Sequence, residues 1–383
     1  MTLDIATLAQ AAADRLTQLV RIPSVTPAQA GPKSGTPGEA RIAAAIAEWF
    51  QELGGQVIID LVQPERPNVY GLWRGQEDRW VGADVHTDTV GVEQMTGDPF
   101  SGEQRDGRVW GRGAVDTKAT LAVVLALLDH ARRAGLTLRP NLLVAATVDE
   151  EFGATGAPAL AAWLARQPFT VAQLAVAEPT NCVPVHGHRG LARFELTFHG
   201  VAAHTSQPHL GQNALLAAAR TVVAYADEHA RLMRLPPTAL GHASLTSTVL
   251  HAGTGINVVP DRAVLLVDRR IVDGEDPRAV MDALVRMAQT AGGLPIDLRR
   301  LREIYPFLQP ADSAWMRDLA AWSAQTPQVA PYGTNAWAYI NLPGERVVIG
   351  PGSIDQAHGA EEWVEVDQLG KLAAIYAKWW GLA

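Results

Sequence analysis

Between residues 80 and 176 the chain alternates short apolar runs with helix-length segments, and this alternation restricts its fold more than any other feature. The runs "WVGADVHTD", "NLLVAATV" and "LAVAEPT" are apolar almost throughout, as strands buried on both faces are. Between them lie the apolar helical pattern "LAVVLALLDHARRAG" and a further one over residues 156–166. An earlier helical pattern covers 37–53, opening on Pro-Gly and stopping at Gly-Gly, and strands follow at 56–62 and 68–74. Strands separated by helices of this length predict an α/β fold, a mostly parallel sheet covered on both faces.

From residue 184 the pattern changes. "RGLARFELTFHG" alternates apolar and polar residues, as a sheet with one wetted face does, and the long helical pattern "NALLAAARTVVAYADEHARLM" follows. Two strands, "SLTSTVLHAG" and "AVLLVDRRIV", a helix "DPRAVMDALVRMAQTAG" and a strand "PIDLRRLRE" complete a βαββαβ order, that of a ferredoxin-like unit. The expected organisation is therefore a first catalytic segment over 1–183, an inserted domain over 184–304, and a return to the first domain over 305–383.

Charge and composition remove several classes of partner. A net charge of −8 offers no basic patch to nucleic acid or to an anionic membrane. No apolar run reaches the roughly 18 residues that a membrane span needs. The N-terminal pattern "MTLDIATLAQAAADRLTQLV" is amphipathic and carries Asp4 and Asp14, unlike a secretory leader, and Cys182 is the single cysteine. These features predict a cytoplasmic protein whose mature chain starts near residue 1.

In open parallel sheets ligands bind beyond the carboxyl ends of the strands. Polar residues stand there in this chain: His86 and Asp88 in "VHTD", Asp116 in "GRGAVDTK", Glu150 and Glu151 in "VDEE", and Glu178 in "AEPT"; His358 follows in "GPGSIDQAHG". Two imidazoles with several carboxylates suit Zn²⁺ or a similar divalent ion. Asp116, Glu151 and Glu178 as anions, with a bridging hydroxide, would balance the charge of two dications about 3.5 Å apart. One ion would take His86, Glu178 and Asp116, the other His358, Glu151 and the shared Asp116. Glu150 is then left to carry a proton from the attacking water to a leaving amine, and Asp88 to accept the free ring N–H of His86. Each residue alone reads more simply as a solvated helix start or a satisfied polar group; their recurrence at successive strand ends is what points to metal.

The runs "VHTDTV", "WGRGAVDTKAT", "VDEEFGATGA", "AEPT", "HRGLARFELTFHGVAAHTSQPHLGQNAL", "NVVPD" and "GPGSIDQAH" resemble, in order, the segments of the M20 metallopeptidase family. That resemblance implies a zinc-exopeptidase-type catalytic domain holding two Zn²⁺, with Co²⁺ or Mn²⁺ as substitutes, on His86, Asp116, Glu151, Glu178 and His358. It implies Glu150 as the general base, and an inserted lid that dimerises and supplies His204 to polarise the scissile carbonyl. Asn257 and Arg269 match lid positions that contact substrate, the arginine suited to a bidentate grip on a carboxylate. The lid strand "RFELTFHG" is expected at a free edge, ready to pair with a second copy.

The ending "VVIGPGSIDQAHGAEEWVE" is most similar to the acetylornithine deacetylase branch, which implies an N-acyl amino acid substrate and a place in arginine biosynthesis. In "PYGTNAWAY", Asn335 stands where the wider family has an acid, and Gly333 and Thr334 are expected to shape the acyl pocket. A dipeptidase or carboxypeptidase would use the same metals with another pocket. A binding protein that keeps the fold without turnover is the alternative from another class, and the complete ligand set with Glu150 argues against it.

Overall fold

The computed structural model describes residues 3–383, so the expected start at residue 1 lies outside the described residues. The chain forms two compact units. The first runs to His186 and resumes over Gln309–Gln328 and Thr334–Ala383; the second holds Gly187–Leu308 and Val329–Gly333. The turning points thus fall a few residues beyond 183 and 304, and a five-residue segment of the last third joins the second unit.

The sheet of the first unit contains, in spatial order, Gln56–Gln63, Arg66–Trp73, Asn141–Thr147, Trp80–His86, Val171–Val176 and Glu345–Val348. Of these, the four from Asn141–Thr147 to Glu345–Val348 are mutually parallel. Its first two are not: Gln63 pairs with Arg66 across a two-residue turn in which Glu65 adopts φ 60°, too short a link for a parallel crossover. Val69 belongs to the core shared with the helices Ile5–Val20, Ala40–Glu52, Lys118–Arg133 and Val366–Trp380. Tyr70, one residue on and so on the opposite face, sets its ring 4.8 Å from that of Trp163 in the helix Gly156–Leu164. The sheet is therefore covered on both faces.

Helix Lys118–Arg133 is buried from Lys118 to Leu128 on every side, as expected of a helix that is apolar all round. Its Lys118 ammonium donates to the carbonyls of Leu19 and Ile22, satisfying acceptors at the end of the first helix. That first helix starts at Ile5 because the Asp4 carboxylate accepts the N–H groups of Ala6 and Thr7. Among the described residues no helix is long and apolar enough to cross a membrane.

The second unit is a four-stranded antiparallel sheet in the order Ser244–Ala252, Arg262–Ile271, Gly190–His199, Ile296–Ile304. Numbered along the chain this is 2-3-1-4, the ferredoxin-like order. Phe194, Leu196 and Phe198 from one strand and Ala263, Leu265 and Val267 from the next pack with Tyr225 and Leu284 of the two helices. The strand containing "RFELTFHG" is central, not an edge, because both neighbours bond to it; the edges are Ser244–Ala252 and Ile296–Ile304.

Candidate metal centre

Parallel register brings the carboxyl ends of three strands together, with His86 opposite Thr147 and Asp84 opposite Val176. His86, buried to 2 % exposure, ends its strand; the Asp149–Glu151 turn leaves the neighbouring strand, and Glu178 lies two residues past the third. Asp116 stands just before helix Lys118–Arg133, and His358 comes from the loop after Glu345–Val348.

These side chains converge as two triplets sharing Asp116. Ligand atoms of His86, Asp116 and Glu178 lie within 4.8 Å of one another, as do those of Asp116, Glu151 and His358. The His86 Nε2 is 3.0 Å from one Asp116 oxygen, and the His358 Nε2 is 3.2 Å from the other and 3.2 Å from Glu151 Oε1. The chemistry of the donors fits divalent ions. Each triplet offers one imidazole and two carboxylates, and His86 Nδ1 lies 3.1 Å from the Asp88 main-chain oxygen, which leaves Nε2 for the ligand side.

The Asp88 carboxylate acts elsewhere than expected. It lies 3.6 Å from the His86 ring nitrogen, whereas its two oxygens accept the N–H groups of Glu150 and Glu151, each at 3.0 Å. Asp88 thus fixes the ring with its carbonyl and the acidic turn with its carboxylate. The third acid of that turn is neutralised separately. Asp149, at φ 63°, pairs with Arg66 at 2.9 Å and accepts from Thr155 at 2.7 Å. Arg66 also grips the fully buried Glu39 at 2.6 and 2.7 Å, and Glu39 accepts the Asp149 N–H at 3.1 Å. Neither Glu39 nor Arg66 carried any signal in sequence spacing; their role depends on a turn that exists only in the fold.

Without cations the cluster keeps its charge down with protons. Burial, then the charges of Asp116 and Glu150, holds the Glu178 carboxyl well above the usual range, and burial with the Asp116 charge lifts Glu151 to about 7. Burial works against a charged His86, but its hydrogen bonds to Asp116 and Asp88 prevail and hold it well above the ordinary imidazole value. Hydrogen bonds to Asp116 and Glu151 push His358 up to about 11. These raised values favour bound protons on the cluster, so metal uptake should release protons, and that competition fades as pH rises towards the folded-state values. The expected result is an apparent metal affinity that increases between about pH 6 and about pH 8, read by chelator competition together with proton release. An affinity independent of pH would contradict this charge balance.

In the second unit, His204 pairs across a short ladder with Val258, next to Asn257, whose carbonyl accepts the Thr205 N–H. The Ser206 N–H donates to His204 Nδ1 at 3.1 Å, so the neutral ring carries its proton on Nε2. Arg269 is corrected as a carboxylate-gripping residue. It lies with Ala263, Leu265, Val267 and Ile271 on the buried side of its strand, 3 % exposed, and is ion-paired to Glu275 at 2.6 Å. Arg270 takes the opposite face and shares Asp268 with Arg193, at 3.0 and 2.7 Å. The alternation in "RAVLLVDRRI" held that signal. Gly333 belongs to the second unit and packs near Ile304. Thr334 and Asn335 are buried in the first; the Asn335 amide donates to Thr147, whose hydroxyl donates to Asp84 at 2.7 Å. The Asn335 amide thus braces the strand end behind His86, and the Thr334 hydroxyl accepts the Ala336 N–H at 3.2 Å.

The family model described as peptidase family M20/M25/M40 matches residues 83–381. Over 307 residues, 76 % of this chain and 77 % of the relative, the sequence is 30 % identical to an acetylornithine deacetylase of Myxococcus xanthus. It is 27 % identical over 352 residues, 89 % of this chain and 91 % of the relative, to an acetylornithine deacetylase of Aliivibrio salmonicida. Among solved structures, a tripeptidase of Staphylococcus aureus superposes with TM-score 0.78 at 18 % identity, covering 98 % of each chain. A dinuclear metal binding peptidase of Bacillus subtilis does so with TM-score 0.68 at 17 % identity, covering 98 % of this chain and 99 % of that one.

Proposed function

The chain belongs to peptidase family M20/M25/M40, and on that premise we propose that it removes the N-acyl group of an amino acid, with N-acetylornithine as preferred substrate. It is a metal-dependent hydrolase acting on amide bonds. The observation that carries the reading is the pair of triplets joined through Asp116, with Glu150 next in the chain to Glu151. The substrate assignment is supported by relatives at 27–30 % identity that are acetylornithine deacetylases.

His86, Asp116 and Glu178 would hold one divalent ion, and Asp116, Glu151 and His358 the other, with Zn²⁺ as the proposed metal. Two such ions supply Lewis acidity, polarising the amide carbonyl and making water more acidic. Glu150 accepts the proton of the water that attacks the carbonyl carbon and delivers it to the nitrogen as the C–N bond breaks, releasing a carboxylic acid and the free amine. It precedes the candidate ligand Glu151 in the turn that the Asp88 carboxylate holds. Asp88 positions Glu150 through the main chain. His204, with its proton on Nε2, is suited to donate to the developing oxyanion, and Asn257 beside it to contact substrate. Recognition of the substrate carboxylate is assigned to Arg270, since Arg269 is consumed by Glu275.

Hydrolysis of N-acyl amino acids and dipeptides by metal-depleted protein, before and after adding Zn²⁺ or Co²⁺, tests this. We expect activity to return with metal and to favour N-acetylornithine. Restored activity confined to dipeptides would replace the substrate; silence across the panel with two bound metals would point to a non-catalytic role.

We further propose a cytoplasmic homodimer formed through the Ser244–Ala252 edge. Val249 and Leu250 are exposed there, and Leu215, Leu216 and Val223 are exposed on the helix Ala214–Arg234 that packs on that strand. The other edge carries Arg299 and Arg300, charges that discourage strand pairing. Sedimentation should give a dimer that Leu250→Arg converts to monomer; an unchanged mass would remove this interface.

A further inference from the structure

The buried ion pair of Arg112 and Glu362 lies behind the metal centre and takes no part in the chemistry above. Both side chains are 1 % exposed, and Arg112 donates to Glu362 Oε2 at 2.6 Å. Such a pair is costly to bury unless its remaining hydrogen-bonding groups are also satisfied. Apart from the Arg112 Nε, which has no partner among the described residues, their remaining groups are satisfied by main-chain atoms of three segments that carry candidate metal-centre residues.

Glu362 Oε1 accepts the N–H groups of Val115 and Asp116, at 3.0 and 3.2 Å. The second terminal nitrogen of Arg112 donates to the carbonyl of Gly91, at 3.0 Å, in the segment that follows His86 and Asp88, and to that of Gly359, at 3.2 Å, the residue after His358. His358 is held at φ 62°, a conformation that a residue with a side chain adopts only when its surroundings impose it. The grip on Gly359 imposes it from one side. On the other, the Gln94 amide donates to the His358 carbonyl at 3.3 Å.

We propose that Arg112 and Glu362 are positioning residues that set the separation of Asp116 from His358, and so the affinity of the ion held by Asp116, Glu151 and His358. This rests on the dinuclear-metal reading above. His86 is fixed chiefly by its strand and by the Asp88 carbonyl, so the ion held by His86, Asp116 and Glu178 depends on the pair through Asp116 and, less directly, through the Gly91 carbonyl three residues past Asp88. The two ions should therefore respond unequally when the pair is weakened.

The test is stepwise Co²⁺ titration of metal-depleted protein, following the visible d–d absorption and competing with a chelator. Glu362→Gln keeps an acceptor for the two N–H groups but removes the charge; Arg112→Lys keeps the charge but cannot reach three oxygens at once. Circular dichroism and thermal unfolding of the metal-free variants establish which of them fold. The expected result is two bound equivalents in the parent chain, and in a folded variant a second equivalent bound about 10–100-fold more weakly, with the first changed several-fold at most. A folded variant that binds both equivalents with parental affinity would overturn the proposal and leave the metal reading intact. A uniform weakening of both would also overturn it, since the selectivity for the His358 side would be absent. A parent chain that takes up no second equivalent removes the metal reading and this proposal with it.

Discussion

Glu150→Ala is expected to abolish amide hydrolysis while the chain still binds two metal ions. The side chain belongs to neither ligand triplet. The Asp88 carboxylate holds the turn through the N–H of residue 150, which alanine retains, and through the N–H of Glu151. Loss of the carboxylate leaves the water without a proton acceptor and the departing nitrogen without a donor. Positioned general acid–base groups contribute on the order of 10²–10⁴ in rate, and kcat should fall by that factor with KM little altered. Metal content measured on the same sample decides the interpretation: loss of rate with loss of metal would make Glu150 a ligand, and near-parental rates would remove it from the mechanism.

Asp116→Ala is expected to lose both ions, and His358→Ala one. Asp116 is the only side chain common to both triplets, its two oxygens facing the two imidazoles at 3.0 and 3.2 Å. Its removal strips each group to one histidine and one acid. His358→Ala leaves His86, Asp116 and Glu178 complete. Metal analysis after dialysis should give about none per chain in the first variant and about one in the second. Lewis-acid stabilisation of several kcal/mol corresponds to a rate loss of about 10³-fold or more for Asp116→Ala. Equal metal loss in both variants would break the division into two triplets.

Much of this was legible before any coordinates. The parallel core strands read as continuous apolar runs because both their faces are buried, and the second unit read as alternating because one face of its sheet is wetted. The residues that converge at the metal centre stood out for a related reason: a carboxylate or imidazole directly after a buried strand has few structural explanations. Where the sequence reading went astray, partner identity was at stake. Asp88 was expected to accept the free ring N–H of His86; its main-chain oxygen faces that nitrogen, while its carboxylate holds the Glu150–Glu151 main chain. Arg269 and Arg270 are adjacent and chemically identical, and strand alternation alone separates the residue paired to Glu275 from the one facing outward.

The sequence by itself determined the fold class, the ferredoxin-like second unit and the identity of the converging acids and imidazoles, because these follow from local periodicity and from residue type at strand ends. Only the tertiary structure decided that Arg66 and Glu39 brace Asp149 and that Arg112 and Glu362 tie three segments together. Only it placed the "RFELTFHG" strand at the centre of its sheet. The reason is physical. A buried charge is stabilised by whatever main-chain and side-chain partners the packed fold delivers to it, and those partners lie 21 to 250 residues away along the chain, where no local pattern registers them.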